Sequence, residues 1–199
     1  MEYVMRLISA WIATAFCIAA SSAWAAGNPE AGKAKAGTCQ ACHGGNRISA
    51  IPNIPSLAGQ TDQFLQWQLV FFRSGRRENP IMGPLSKTLS DEDVRDLGAY
   101  FASLTPPAAP ASDANPALSA TGRDAAEQHH CSACHTEAFT GKQAAARLAD
   151  QHEVYLAKAL ADYRAGSRPS TGVAAMTEAA SGLSDDDISA LAHYIATLK

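Results

Sequence analysis

Cys39-Gln40-Ala41-Cys42-His43 is the run from which the rest of this chain is read, and it returns as Cys131-Ser132-Ala133-Cys134-His135. Two thiols three places apart lie on one side of a helical turn, so both sulfurs reach one edge of a flat ring, and the next residue places an imidazole over its centre. This is the chemistry of covalent haem attachment, with thioethers from the cysteines and the histidine on iron. Zinc and disulfide readings fit less well, because both runs end in histidine. The expectation is two covalently bound haem c groups, held by Cys39 and Cys42 in one place and by Cys131 and Cys134 in the other.

The fifth cysteine, Cys17, lies in an N-terminal stretch that reads as a secretory signal over residues 1–26. Arg6 supplies the charge, Leu7 to Ala20 is almost unbroken apolar chain, and Ala23-Trp24-Ala25 offers a small-x-small cleavage site. Cleavage near Ala25 or Ala26 removes Cys17 and leaves no thiol free for disulfides or for thiolate ligation. The rival reading is a retained anchor, since Leu7 to Ala26 approaches the ~20 residues of a membrane-spanning helix. Bulky Phe16 before Cys17 argues against acylation. Export places the protein in the periplasm, with no membrane span after processing, and suits a cofactor attached outside the cytoplasm.

Beyond the signal the chain repeats itself. Phe72-Arg73-Ser74-Gly75 matches Tyr163-Arg164-Ala165-Gly166, and Leu89-Ser90-Asp91 matches Leu183-Ser184-Asp185, at nearly the same offset as the two cysteine runs. Two lobes are therefore expected, residues 27–104 and 119–199, joined by a Pro/Ala-rich linker over 105–118 that lacks periodicity. Lobes this small bury little core of their own, and a haem in each supplies an apolar centre.

The periodicity predicts an all-α fold. Asn28 followed by Pro29 and Glu30 opens a first helix. Thr61 or Asp62 caps a second, carrying Phe64, Leu65, Leu69 and Phe72 before Gly75. Ser90 with Asp93 opens a third, with Val94, Leu97, Phe101 and Leu104 on one stripe. Ser184 with Asp187, then Ile188, Leu191, Ile195 and Leu198, repeats it.

Outside the signal only two methionines remain, Met82 and Met176, one per lobe and each between the glycine that ends the second helix and the Leu-Ser-Asp that opens the third. That repeated position makes them the expected sixth ligands. Histidine with methionine closes the iron to substrate and raises its potential. His129 and His130 read as surface residues, and His152 and His193 as packing or surface positions without a partner acid. Arg73, Arg76, Arg77, Arg164 and Arg168 are candidates to meet haem propionates.

At this point the chain resembles the diheme cytochrome c4 family, bacterial periplasmic carriers built of two tandem class I cytochrome c domains, each a small helical fold around one haem. The resemblance rests on the two cysteine runs and on Pro55-Ser56-Leu57-Ala58-Gly59-Gln60. It extends through Phe72 to Gly75 and Met82, Leu89 to Asp93 and Tyr100. The second lobe adds Gln151-His152-x-x-Tyr155-Leu156, Tyr163 to Gly166, Met176 and Leu183 to Asp185.

It implies His43 and Met82 on one iron, His135 and Met176 on the other, and single electrons passed between respiratory-chain components toward a membrane oxidase. Ala146 stands where the first lobe has Pro55, Thr136 where it has a glycine, and a three-residue insertion precedes Met176. The two potentials are accordingly expected to differ. The other readings are an electron-accepting diheme subunit of a periplasmic dehydrogenase, such as flavocytochrome c sulfide dehydrogenase, and a diheme peroxidase or thiosulfate dehydrogenase. The expected partners are redox proteins, a membrane oxidase or reductase among them. The mild net charge of −3 gives no reason to expect nucleic acid.

Overall fold

The computed structural model describes residues 26–108, 112–170 and 175–198. The signal or anchor reading, apart from Ala26, and the insertion before Met176 lie outside the described residues. Among those described the chain is helical, its sole bridge being Lys142 with Ala145.

In the first lobe α1 (Pro29–Lys35) starts where the Asn28 side chain accepts from the N–H groups of Glu30 and Ala31. A 3-10 turn (Ala36–Cys39) and α2 (Gln40–His43) carry the first cysteine run. Then come α3 (Asp62–Arg73), α4 (Met82–Lys87) and α5 (Asp91–Ser103). Thr61 stands at the start of α3 without a side-chain cap bond, whereas Ser90 and Asp93 form a full capping box on α5. Gly75, at φ 75°, turns the chain out of α3.

The second lobe repeats the plan with α6 (Pro116–Gln128), α7 (Ser132–His135), α8 (Glu153–Arg164), α9 (Ala175–Ser181) and α10 (Asp185–Ala196). Ser184 and Asp187 again form a capping box. Helix α6 begins inside the stretch read as linker, because Asn115 caps it and Pro116 takes the first helical position, as Asn28 and Pro29 do for α1.

The predicted stripes face inward: Leu65, Leu97 and Phe101 join Ala36 in the first core, and Leu156, Ile188, Leu191 and Ile195 lie in the second. In each lobe the first helix crosses the last at a glycine. A Cβ built on Gly32 would lie 2.0 Å from the Asp96 carbonyl oxygen, and one on Gly122 would lie 2.1 Å from that of Ala190. Backbone meets backbone at both crossings, so α1 on α5 and α6 on α10 form the frame of each lobe.

Two repeated arginines are structural. Arg73 bonds the Leu89 carbonyl and the Asp91 carboxylate, and Arg164 bonds those of Leu183 and Asp185. Each ties the end of its lobe's long middle helix to the start of the last one.

His193 corrects the sequence reading, which gave it no partner acid. Its Nδ1 lies 2.9 Å from Glu153 Oε2 and its Nε2 lies 3.0 Å from Asp113 Oδ1, so a buried imidazole ties the linker to α8 and α10. Glu153, then Asp113, raise its pKa above the ordinary value against the opposing effect of burial. A raised folded pKa contributes stability that is complete below about pH 6.5 and is lost as pH rises through the folded value. The gap in melting temperature between the native protein and His193→Gln is therefore expected to be widest at mildly acid pH and to narrow on going alkaline. A constant gap would contradict a charged clamp.

Candidate haem sites and the lobe interface

Short helices α2 and α7 end in His43 and His135, and the loops after them fold back so that each ring meets a backbone carbonyl. His43 Nδ1 donates to Pro55 O and His135 Nδ1 to Ala146 O, both at 2.8 Å. Alanine in place of proline thus leaves the acceptor equally well placed. Burial pushes both imidazoles below their ordinary pKa and outweighs the carbonyl bond that opposes it. A neutral ring whose Nδ1–H is spent on a carbonyl keeps Nε2 as a lone-pair donor, the state a metal ligand needs.

The turn after each run takes an unusual backbone. Gly44 has φ 83° and ψ 156°, and Thr136 has φ 70° and ψ 162°. This is glycine territory, and for threonine it costs on the order of 1–3 kcal/mol. The Thr136 hydroxyl offsets part of that cost by accepting from Thr140 N.

Both rings face one cavity of about 860 Å³ lined from the two lobes. Cys42, Met82, Cys131, Cys134 and Met176 also line it, while Cys39 packs on the first-lobe core. Met82 opens α4, where Asn79 Oδ1 accepts from the N–H groups of Ile81 and Met82. Met176 lies in α9. Both sequence-predicted axial pairs therefore line the same space, with each methionine on a short helix. His129 and His130, read as surface residues, also reach its wall.

Among the five arginine candidates, Arg77 and Arg168 lie in the cavity wall with Arg76, while Arg73 and Arg164 make the ties described above. Arg76 sits over the Phe71 ring. Arg77 donates to Gln68 Oε1 at 2.6 Å and stacks over Phe72, and Arg168 approaches the same oxygen at 3.4 Å and stacks over Tyr163. Among the described residues no carboxylate hydrogen-bonds to either guanidinium, and the Arg168 Nε is buried without a partner. Burial would push the Tyr155 phenol up, but the positive charges of Arg168 and Arg77 outweigh it and bring it down to about 8. Buried Arg168 and half-buried Arg77 have neutral hydrogen-bond partners and leave a place for carboxylates, so the residues present fit a cofactor bearing acid side chains.

Sequence reasoning missed the glutamines. Gln60 Nε2 donates to Arg147 O and Gln60 Oε1 accepts from Arg147 N, while Gln151 makes the same pair of bonds with Ser56. Thr61 Oγ1 donates to Ala145 O, and His152 Nε2 bonds Ser49 O. These bonds join the lobes. The available signal was the repeat register, in which Gln60-Thr61 aligns with Gln151-His152.

Residues 119–199 match the family described as cytochrome c, and residues 27–101 match the one described as cytochrome c oxidase, cbb3-type, subunit III. The chain is 39% identical to cytochrome c4 of Pseudomonas aeruginosa, covering 87% of this chain and 90% of that protein. It is 34% identical to a thiosulfate dehydrogenase electron acceptor of Stutzerimonas stutzeri, covering 80% and 78%. Among solved structures, reduced recombinant cytochrome c4 from Pseudomonas stutzeri superposes with a TM-score of 0.80 at 34% identity, covering 87% of this chain and all of that one.

Proposed function

Because the chain belongs to the cytochrome c4 family, we propose that it carries single electrons through the periplasm between respiratory-chain proteins, with a membrane terminal oxidase as acceptor. It is a diheme electron-transfer cytochrome with two covalently bound haem c groups. When bound, each haem supplies a one-electron iron couple. The observation that carries the reading is that His43 and Met82, and His135 and Met176, line one cavity from matching positions of two lobes.

In this reading Cys39 and Cys42 form the thioethers of the first haem, and Cys131 and Cys134 those of the second. His43 and His135 present neutral Nε2 to iron, with Nδ1 held by Pro55 and Ala146. Met82 and Met176 would be the second protein ligands to each iron, which would leave no position open to substrate. Arg77 and Arg168 would hold propionates where the two sites share one cavity, which suits electron passage within the molecule. Lobe limits of 27–104 and, with α6 opening the second lobe at Pro116 ahead of the expected 119, 116–199 suit this division. No helix among the described residues is long and apolar enough to cross a membrane.

Similarity to a thiosulfate dehydrogenase electron acceptor favours a second reading, in which a periplasmic dehydrogenase is the donor. The two are separated by mixing the reduced protein with oxidase-containing membranes and the oxidised protein with candidate dehydrogenases. Fast oxidation by membranes, with two one-electron waves in a redox titration, is expected. Turnover of thiosulfate or peroxide by the protein alone would contradict the carrier reading.

A further inference from the structure

The carbonyl that takes the His43 Nδ1–H belongs to the peptide group joining Pro55 to Ser56, and the other end of that group is the Ser56 N–H. That N–H donates to Gln151 Oε1 at 2.9 Å, and Ser56 O accepts from Gln151 Nε2 at 3.0 Å. In the second lobe the peptide joining Ala146 to Arg147 takes the His135 Nδ1–H on its oxygen and donates its N–H to Gln60 Oε1 at 2.6 Å. Arg147 O accepts from Gln60 Nε2 at 2.9 Å. Both glutamines are buried, and each Oε1 also accepts the N–H of the following residue, Thr61 or His152. Two N–H groups aimed at one oxygen leave no freedom to flip the amide.

We propose that Gln60 and Gln151 are crossed positioning residues, each fixing and polarising the peptide group that orients the axial histidine of the opposite lobe. The inference rests on the axial-ligand reading above. A peptide whose N–H is donated carries more negative charge on its carbonyl oxygen, because hydrogen bonds in a chain polarise one another. The carbonyl then draws harder on the Nδ1–H, Nε2 becomes a stronger donor, and the oxidised iron is favoured. Because the glutamine comes from the other lobe, each lobe holds part of the control of its neighbour's potential.

The two arms are unequal. Pro55 is stiffened by its ring, whereas Ala146 has no such constraint and is bracketed by first-lobe groups, Thr61 on Ala145 O and Gln60 on the Arg147 amide. Gln60 therefore carries more of the positioning of His135 than Gln151 carries of His43.

The test uses the full haem-loaded protein. The potentials of both haems are measured by spectroelectrochemistry in Gln60→Leu, Gln151→Leu, Gln60→Glu and Gln151→Glu. Each wave is assigned to its lobe with Met82→His and Met176→His backgrounds. The leucine variants are expected to raise the potential of the opposite lobe's haem, shifting its reduced-to-oxidised ratio about threefold at fixed potential, with the larger shift from Gln60→Leu. The glutamate variants keep an acceptor for the Ser56 or Arg147 N–H and are expected to move the same wave downward. A simple loosening of the interface would admit water and lower both potentials in the leucine variants. That pattern, a shift in the glutamine's own lobe, or no shift would overturn the proposal. Two waves in the native protein with no crossed shift would leave the carrier reading intact, whereas a native protein without two one-electron waves would remove both.

Discussion

Gly32→Ala is expected to remove most of the stability of the first lobe. The added methyl would meet the Asp96 carbonyl oxygen at 2.0 Å, its carbon at 2.5 Å and the Tyr100 Cβ at 2.8 Å. Two of these are backbone atoms of α5, fixed within a helix whose capping box and buried Val94, Leu97 and Phe101 hold it in place. Neither helix can retreat without opening that core, so the cost is expected to be about 4 kcal/mol or more. A domain of this size has only about 5 kcal/mol to lose. Gly37→Ala is the matched control, since its Cβ would meet nothing within 4 Å, and it is expected to change stability by less than about 1 kcal/mol. Thermal unfolding followed at each haem's absorption checks this, with Gly122→Ala giving the mirror result in the second lobe. A Gly32→Ala protein that melts like Gly37→Ala would show that the α1 to α5 crossing does not frame the lobe.

Met82→Ala and Met176→Ala are each expected to open one iron and leave the other unchanged. Met82 is set at the start of α4 by two backbone N–H bonds to Asn79, so the substitution removes the sulfur without dismantling the turn that carries it. Water or an added small ligand then takes the vacated position. Loss of the thioether should lower the altered haem's potential by more than the 59 mV that corresponds to a tenfold change for one electron. Redox titration should show one displaced wave and one native wave in each variant. An unchanged pair of waves in either would remove that methionine from the ligand set.

The parts of this molecule set by local rules were legible in the sequence. Two Cys-x-x-Cys-His runs, two Ser-x-x-Asp capping boxes and one methionine per lobe each follow from chemistry within a few residues, and the all-α two-lobed fold followed from them. The start of α6 was equally local, since Asn115-Pro116 repeats Asn28-Pro29, and the proline-rich stretch before it concealed the signal. What stayed hidden depends on contacts between distant segments. Nothing near Gln60 in the chain announces Arg147, 87 positions away, or near Gln151 announces Ser56, 95 away. His193 finds Asp113 and Glu153 only once α10 packs beside α8 and the linker returns. Arg77 and Arg168 could be named among five arginines, but only the cavity separates them from Arg73 and Arg164, which hold helix ends.

In the proposed function each lobe closes its iron with one histidine and one methionine. The most direct measurement is the absorption spectrum of the haem-loaded protein in its oxidised state, read at the weak near-infrared band that methionine sulfur gives on ferric haem. Intensity for two irons is expected, halved in Met82→Ala and halved in Met176→Ala. Intensity for one iron, or a high-spin signal in the native resting protein, would contradict it and bring the catalytic readings forward.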